Sequence, residues 1–582
     1  MAALNNLLPY HVYTYTYAYG PGGVSGLLEN RYAVACAIFA SIGGLSFGYD
    51  QGVIANVLVM DDFLRRWPVG PWEKGLMTAV LELGALFGAL SAGVMADRYS
   101  RRHSILFASV VFCIGSALQC GAGSLNNLIL GRAIGGFGVG ALSALSPLYL
   151  AEISPPELRG SLMALEQLAI VSGVVFGFWA GFATKGVQGS ASWRIPLALQ
   201  LIPGILLTLG SFLSITTGGS LLKSLPESDP LDHPASALHH SAPNRDIQPW
   251  TFALLPPSPR FLVMRGRNDE ALRVLARLRM RGESDLLLEL LEMKVTVALE
   301  RHAISSNPIN NNESIQATKN GSVMRKLFGQ KYIRRTMIGI MVMFFQQWSG
   351  INALLYYGPT LVKNIGFGDS TTNSTLFIAG GIGIVQFLAV GPAIILIDRW
   401  GRKPLLRGGA AAMALSHLLI AVLIFQYEHD WAGHAWAAWV AVGAIYMFTF
   451  SYGTSFGPIS WVIPAEVFPL AVRSRGVALA TGSNWTNNFF IGLITPPLME
   501  ISAGHTFLLF ACACALAYLW ATHIIPETAG VSLEEMDRIF GDGTGHLGLL
   551  VLRMVLILIM LQLEREFGLH ELITEAIDAS ES

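Results

Sequence analysis

The chain carries few charged residues for its length. Only 13% of its 582 residues are Asp, Glu, Lys or Arg, whereas soluble globular proteins carry about 25%. Its net charge of −1 at pH 7 provides no basic surface for nucleic acid, so we predict no nucleic-acid partner. With 52% hydrophobic residues and a mean hydropathy of +0.50, the composition is that of a membrane protein.

Cysteine is also scarce, and no spacing typical of a metal centre is present. All five cysteines lie inside apolar stretches, without a CxxC pair or a Cys/His ligand spacing: Cys36, Cys113, Cys120, Cys512 and Cys514. Such cysteines usually behave as small buried hydrophobic residues. No nucleophile is paired with a base either. We therefore predict no disulfide, no metal, no cofactor and no enzymatic activity.

Long apolar runs make up most of the chain. A helix that crosses a bilayer needs about 20 mostly apolar residues. Read with that window, the sequence predicts twelve spans at 33–58, 74–96, 103–121, 127–150, 161–184, 194–213, 333–357, 373–397, 404–426, 436–463, 474–498 and 504–525. The predicted fold class is an all-α membrane protein with twelve transmembrane helices in two six-helix halves and a cytoplasmic helical central loop.

The positions of Lys and Arg indicate the orientation of these spans. Basic residues concentrate in the loops 2–3, 4–5, 8–9 and 10–11 and in the central loop, and such loops face the cytoplasm. The predicted divisions are a cytoplasmic tail 1–32, a first half 33–213, a central loop 214–332, a second half 333–525 and a cytoplasmic tail 526–582. We expect a monomer surrounded by membrane lipid, with the plasma membrane as its location and both termini in the cytoplasm.

Two charge clusters repeat one layout at corresponding places in the two halves. DRYSRR (97–102) follows the second predicted span of the first half, and DRWGRK (398–403) follows the second span of the second half. A Glu-x6-Arg element also occurs once in each half, at Glu152 with Arg159 and at Glu466 with Arg473. Parallel repeats of this kind are one architecture of membrane transporters.

These charges are suited to a cytoplasmic latch, in which acidic and basic groups pair in one state and separate in another. Surface ion pairs contribute about 0–1 kcal/mol each, so a small network can bias an equilibrium without freezing it. The predicted latch comprises Asp97, Arg98, Arg102, Glu152, Arg159, Asp398, Arg399, Arg402, Glu466 and Arg473. The alternative is that the clusters only anchor the chain by the positive-inside rule.

Motifs along nearly the whole chain resemble one family. They are GGLSFGYDQGV (43–53), GRAIGGFGVG (131–140), PLYLAEISPPELRG (147–160), PPSPRFL (256–262), QQWSGINALLYYGP (346–359), GPISWVIPAEVFP (457–469), NWTNNF (484–489) and PETAGVSLEE (526–535). With the two charge clusters, they resemble the sugar porters of the major facilitator superfamily, in the fungal monosaccharide-transporter branch. Ser100 departs from the pattern, since the family usually has Gly there. The resemblance implies a carrier that works by rocking of its two halves.

The resemblance also implies a sugar site between the halves. Sugar hydroxyls need amide partners, and the apolar ring face needs an aromatic surface. The positions that match family sugar contacts, or that lie beside them, are Phe47, Gln167, Gln346, Gln347, Asn352, Gln386, Trp461 and Asn484. Tyr356 and Tyr357 match the family's outer gate, and the run SGIN (349–352) favours a break in the seventh helix. Interhelical hydrogen bonding is the alternative for the amides, and interfacial anchoring is the alternative for the tyrosines.

Two opposite charges are predicted deep within the first half, Asp50 on the first span and Arg132 on the fourth. An ion at the bilayer centre costs about 2.5–3.5 kcal/mol on insertion scales, so it needs a partner or a function. In proton-coupled members of the family, the matching Asp carries the proton and the matching Arg modulates it. Glu82 is a competing carboxylate, and a static structural pair is the alternative for Asp50 and Arg132.

The main hypothesis is a secondary active transporter that imports a monosaccharide with a proton, so its partners are a sugar and a proton. A passive sugar facilitator and a non-transporting sugar sensor are the alternatives. Known sensors on this scaffold carry long cytoplasmic tails, and the short tail at 526–582 argues against a sensor. Residues 214–255 interrupt the family pattern. They are either a disordered insert or a gene-model artefact. Asn373, in an outer loop, is an expected glycosylation acceptor.

Overall fold

The structure is a computed structural model that describes residues 23–223, 255–279, 323–365, 373–469 and 472–529, with single residues at 286–297, 367, 536 and 540. Its secondary structure over these residues is helical, with no β-strand. Most of the possible insert at 214–255 and the chain after 540 lie outside the described residues. The described part therefore covers both halves of the predicted fold and the start of the central loop.

Twelve membrane-crossing segments are present among the described residues, and we number them spans 1 to 12. The first half contains Arg31–Ala40 with Ile42–Val57, Pro71–Tyr99, Arg101–Cys120, Leu125–Ile153, Arg159–Thr184, and Ala191–Leu199 with Leu201–Lys223. The second half contains Ile333–Trp348 with Ile351–Asn364, Asn373–Arg399, Arg402–Tyr427, Ala435–Thr454 with Phe456–Val467, Arg473–Ile501 and Ala503–His523. The predicted all-α fold with two six-helix halves is confirmed.

Span 11 differs from the other spans in composition. Eleven of the spans are long and apolar enough to cross a bilayer by length and hydropathy, and span 11 is the exception in the described chain. It packs along span 2 of the first half and along the inner part of span 7. Asn484 and Asn488 on it are fully buried. Its polar residues therefore face the protein interior. They lower its mean hydropathy, so a hydropathy criterion does not count it as a span.

Span 7 is broken where the run SGIN predicted a departure from regular helix. Its inner part ends at Trp348 and its outer part begins at Ile351. Gly350 between them has a φ of +91°, in the left-handed region that glycine adopts without strain. Span 10 is also broken, between Thr454 and Phe456, where Ser455 has a φ of −129° and a ψ of −93°. Both breaks expose backbone groups inside the membrane, where only buried protein surroundings can satisfy them.

The helices of the first half pack closely through glycine. Spans 1 and 5 approach so nearly that a Cβ added to Gly48 would lie 1.7 Å from the carbonyl oxygen of Ile170. The two halves meet along two helix pairs, span 2 with span 11 and span 5 with span 8. The predicted sugar site lies between these two helix pairs.

Within the part of the central loop described at 255–279, helices lie at Pro259–Met264 and Asn268–Arg279, as the helical loop of the predicted fold requires. They dock against the inner end of span 4. The Arg260 guanidinium donates to the Glu152 carbonyl at 3.0 Å, and the Arg279 guanidinium donates to the Ile153 carbonyl at 2.6 Å. These bonds satisfy the last carbonyls of a helix, which have no intrahelical partner.

Candidate functional site

Polar side chains of the second half surround the breaks in spans 7 and 10. Gln346, just before the break in span 7, donates to the carbonyl oxygens of Phe456 and Gly457 at 3.2 Å each. Asn484 of span 11 donates to Gln346 Oε1 at 2.5 Å. The amide of Gln346 thus binds the first carbonyls of the helix that follows the break in span 10, and it links three spans.

A second amide series leads from the break toward the outer side. Asn352 Nδ2 donates to Gln347 Oε1 at 2.5 Å and to Asn488 Oδ1 at 2.9 Å. Asn488 Nδ2 lies 3.1 Å from the Tyr356 hydroxyl. That hydroxyl accepts from Gln51 Nε2 of span 1 at 2.9 Å. The series therefore begins at predicted sugar-binding amides and ends at a contact between the two halves.

The two predicted gate tyrosines have different partners. Tyr356 is hydrogen-bonded to Gln51, which belongs to the opposite half. Tyr357 donates to the Gly492 carbonyl at 2.6 Å, and Gly492 lies in the same half as Tyr357. Both side chains are buried. In this arrangement Tyr356 carries the contact across the halves, and Tyr357 holds the outer part of span 7 against span 11.

Aromatic rings from both halves meet beside the amides. The Phe47 and Trp461 rings face each other edge to face, with 6.5 Å between centroids. Phe47 also lies 4.9 Å from the Trp485 ring. Trp485 Nε1 donates to Ser143 Oγ of span 4 at 2.9 Å, which ties span 11 to the first half. The predicted aromatic surface is therefore formed by residues of both halves.

Three buried amides, on spans 5, 8 and 11, retain an oxygen without a hydrogen-bond partner in the described part of the chain. They are Gln167 Oε1, Gln386 Oε1 and Asn484 Oδ1. Gln167 Nε2 lies 3.3 Å from the position that a Cβ on Gly457 would occupy, which places span 5 beside the break in span 10. A buried polar atom left unpaired costs about 1–3 kcal/mol. Such oxygens suit a ligand that donates hydrogen bonds.

Asp50 and Arg132 face each other in the buried interior of the first half. Arg132 Nη1 lies 3.7 Å from Asp50 Oδ1, which is too long for a hydrogen bond. Arg132 Nε instead donates to the Met77 carbonyl of span 2 at 2.8 Å. Within the described residues, neither Asp50 carboxylate oxygen has a hydrogen-bond partner. The carboxylate thus has an electrostatic neighbour and remains open to a proton.

At the cytoplasmic ends, each half contains a buried Arg–Glu pair. Arg402 Nη2 lies 2.8 Å from Glu466 Oε1. The corresponding contact in the first half joins Arg101 to Glu152 at 2.7 Å, so Arg101 stands in place of the predicted Arg102. Arg101 and Arg402 both begin a helix directly after the turn. Arg102 lies one residue further along, where a helix has turned by about 100° and points elsewhere.

Two carboxylates contribute cytoplasmic contacts between the halves, beside the bond from the Ser161 hydroxyl to the Ile394 carbonyl at 2.8 Å. Asp398 Oδ2 of span 8 accepts from the Ser161 backbone N–H at 2.8 Å and from the Ser161 hydroxyl at 2.7 Å. Asp97 of span 2 accepts from the Ser474 hydroxyl and from Arg475 Nε, the latter at 3.1 Å. Each carboxylate therefore binds the first turn of a helix in the opposite half, where the helix dipole favours negative charge.

The remaining residues of the predicted latch lie outside these two contacts. Arg98 and Arg399 are exposed, and Arg98 lies over the Tyr99 ring. Arg159 and Arg473 are buried at the starts of spans 5 and 11. The interactions of Arg473 include donation from Nε to the Phe468 carbonyl at 3.0 Å. Of the predicted latch, Arg402 pairs with both Asp398 and Glu466, at 3.1 Å and 2.8 Å.

Sequence reasoning missed Gln51, Ser143, Trp485 and Asn488, which all lie in the contacts described above. For Asn488 a signal existed, because it follows Asn484 by four residues and so shares its helix face. Gln51 directly follows Asp50, but adjacent residues of a helix point in different directions. Nothing in the sequence indicates that its side chain reaches Tyr356, which lies in the opposite half.

A protein-family model described as "Sugar (and other) transporter" matches residues 36–214 and 247–540. The chain belongs to this family. The match covers both six-helix halves, so it agrees with the fold and confirms the resemblance to sugar porters. The matched relatives named below are transporters and a sensor rather than enzymes, which confirms the prediction of no enzymatic activity.

Individual relatives share between 25% and 30% of their aligned residues with this chain. The chain is 29% identical to "MFS glucose transporter mfs1" of Aspergillus flavus over 87% of this chain and 89% of that protein. It is 30% identical to "High glucose sensor RGT2" of Saccharomyces cerevisiae over 88% of this chain and 61% of that protein. The structure of the proton:xylose symporter XylE of E. coli, bound to 6-bromo-6-deoxy-D-glucose, is similar with a TM-score of 0.67 and 25% identity. That comparison covers 88% of this chain and 99% of XylE.

Proposed function

We propose that the protein imports a monosaccharide together with a proton by exposing a site between its halves to each side of the membrane in turn. The observation that carries the sugar site is the set of unpaired oxygens on Gln167, Gln386 and Asn484. Sugar hydroxyls would donate to these oxygens, and Trp461 with Phe47 would cover the apolar ring face. Gln346, Gln347 and Asn352 would complete the site on span 7.

The proposed proton site is Asp50, with Arg132 as its modulating charge. The 3.7 Å separation leaves the Asp50 oxygens without a hydrogen bond from the guanidinium. One proton per sugar is sufficient energetically, since a membrane potential contributes about 2.3 kcal/mol per charge per 100 mV. At about 1.4 kcal/mol per tenfold, that supports roughly forty-fold accumulation before any pH gradient is added. The kinship with XylE, named as a proton:xylose symporter, supports this assignment.

The test is uptake of a labelled sugar panel in cells that lack their own hexose carriers. We expect wild type to accumulate sugar and to lose accumulation with a protonophore. Asp50→Asn keeps the size and polarity of the side chain but removes its titratable proton. This variant is expected to exchange sugar across the membrane without accumulating it. Accumulation by Asp50→Asn would move coupling to another group, and wild-type indifference to the protonophore would indicate a facilitator.

A non-transporting sensor is the second candidate, because a yeast glucose sensor is among the relatives. It differs from a carrier in one measurable respect, which is whether labelled sugar crosses the membrane. Sugar binding without exchange in the uptake experiment would favour the sensor. We also propose a plasma-membrane location with both termini in the cytoplasm. Tags at the two ends should stay inaccessible to antibody until the cells are permeabilised.

A further inference from the structure

The inner end of span 7 is strongly basic. Residues 323–336 include no acidic residue, and they contain five basic ones: Arg325, Lys326, Lys331, Arg334 and Arg335. Arg335 is buried, and its guanidinium donates to the Val467 carbonyl at 3.0 Å. The other four are exposed, and none of them makes an ion pair with another described residue. Four positive charges therefore lie on the surface here without an acidic partner in the described chain.

A hydrogen bond fixes this segment beside the first turns of span 7. A helical turn at 323–327 precedes the span, and the Thr336 hydroxyl donates to the Leu327 carbonyl at 2.7 Å. Leu327 is fully buried, whereas the next residue, Phe328, is 54% exposed. The segment thus folds back along span 7, which places Phe328 close to the level of Thr336. We call the four exposed basic residues together with Phe328 the basic corner.

The lipid-facing side of span 7 begins at the same level. Met337 is 45% exposed, and in a helix that crosses a bilayer such a side chain faces acyl chains. Arg334 lies three residues before Met337 on the same helix face. Three residues correspond to about 4.5 Å of helix, so Arg334 lies at the edge of the apolar layer, in the headgroup region. Its guanidinium is over the Phe540 ring, 5.7 Å from the centroid.

We propose that the basic corner binds the headgroup of an anionic phospholipid from the cytoplasmic leaflet. Arg and Lys form charge-assisted hydrogen bonds with phosphate oxygens. The cytoplasmic leaflet carries the negative surface potential that attracts basic segments next to a membrane span. The exposed Phe328 ring suits the interfacial layer, where aromatic side chains are enriched. Exposed apolar side chains beside the charges favour a lipid over a soluble acidic partner.

The bound lipid would hold the start of the helix whose other end carries the sugar amides. The inner part of span 7 begins at Ile333 and ends at Trp348, directly after Gln346 and Gln347. The lipid site is nevertheless separate from these amides. The inference uses the proposed orientation of the spans but not the proposed transport of sugar, so lipid binding can be tested apart from transport.

The test is binding of a short-chain lipid to the purified full-length carrier in a neutral detergent. The probe is dioctanoyl phosphatidylserine, and dioctanoyl phosphatidylcholine is the zwitterionic comparison. A ligand that binds the folded state raises its stability, so the unfolding temperature is measured as lipid is added. We expect phosphatidylserine to act at lower concentration than phosphatidylcholine, and inorganic phosphate to have no effect. Equal action of the two lipids, or a full effect of inorganic phosphate alone, overturns the proposal.

Paired substitutions test whether the lipid binds at the basic corner. Each basic residue near a leaflet surface contributes about fivefold in affinity, converted from about 1 kcal/mol. Lys326→Gln with Arg334→Gln should therefore weaken phosphatidylserine binding roughly thirtyfold, whereas Lys326→Arg with Arg334→Lys should bind like wild type. The matched control is Arg273→Gln with Arg277→Gln, which removes the same charge from the helix Asn268–Arg279. Unchanged affinity in the first pair, or a loss of equal size in either of the other two, overturns the proposal.

Discussion

Ser100 occupies the turn between spans 2 and 3 in a backbone conformation that suits glycine. Its φ is +80° and its ψ is 155°. In the corresponding turn of the second half, Gly401 has a φ of +89° and a ψ of 171°. Ser100 is the one non-glycine residue of the described chain with a positive φ. A side chain in this region costs about 1–3 kcal/mol, and the 2.9 Å contact from Ser100 Oγ to His103 Nδ1 offsets part of that cost.

We predict that Ser100→Gly raises the stability of the protein by about 1 kcal/mol, because glycine relieves the backbone strain. The measurement is thermal unfolding of the purified carrier in detergent. Ser100→Ala is the control, since it loses the hydroxyl but keeps the strained Cβ, and it should be no more stable than wild type. Equal midpoints for the Gly and Ala variants would contradict the assignment of strain.

The break in span 7 needs support from a neighbouring element, and span 9 provides it. The Ser349 carbonyl at the break lies 2.8 Å from His417 Nε2. A carbonyl can only accept, so Nε2 carries the hydrogen. His417 is fully buried and packs against the rings of Phe448, Phe507 and Phe510. The position of the amides on either side of the break therefore depends on a side chain from span 9.

We predict that His417→Leu weakens apparent sugar affinity, because it removes a hydrogen bond worth about 0.5–1.5 kcal/mol from the Ser349 carbonyl and releases the break. Only the weak thiol donor of Cys514, at 3.9 Å, then remains on that carbonyl. His417→Gln retains an N–H donor of similar reach and should recover most of the affinity. The measurement is the KM of exchange, normalised to the amount of carrier at the cell surface. Unchanged KM in His417→Leu, or no recovery in His417→Gln, would show that the bond does not position span 7.

The two halves touch at both ends in this structure. Asp97 and Asp398 form the cytoplasmic contacts, and the Gln51–Tyr356 bond forms an outer one. A carrier with alternating access must break one set of contacts at a time. Carboxylates that bind helix starts are suited to this, because their hydrogen bonds are charge-assisted yet lie at the solvent edge. We therefore expect Asp97 and Asp398 to be the residues of the charge clusters that hold the two halves together on the cytoplasmic side.

We predict that Asp398→Ala slows maximal transport by about tenfold, because it removes charge-assisted bonds from the Ser161 N–H and hydroxyl, worth about 1.5–3 kcal/mol. Sugar affinity should change less than the rate. Arg399→Ala is the control, since Arg399 is exposed and makes no hydrogen bond or ion pair with the first half among the described residues. The rates come from initial uptake at saturating sugar. A similar loss in both variants would mean that the cluster acts by charge alone.

Much of the architecture was determined by local sequence. A window of about 20 mostly apolar residues predicted the twelve spans, because a segment inside a bilayer carries mostly apolar side chains and satisfies its own backbone hydrogen bonds. SGIN predicted the break in span 7, since glycine readily adopts the left-handed conformation. Both features depend on residues close together in the chain. Local sequence therefore determined the number of spans, their order and the break in span 7.

Only the tertiary structure decided which polar groups meet. The pairing of Glu152 with Arg101 rather than Arg102, the bond from Gln51 to Tyr356, and the contact of Asp398 with Ser161 all depend on how each helix is rotated and placed. Hydropathy does not specify that rotation, because lipid accepts an apolar face at almost any angle. Packing at close glycine contacts and paired buried polar groups set it, and both require the neighbouring helices to be in place.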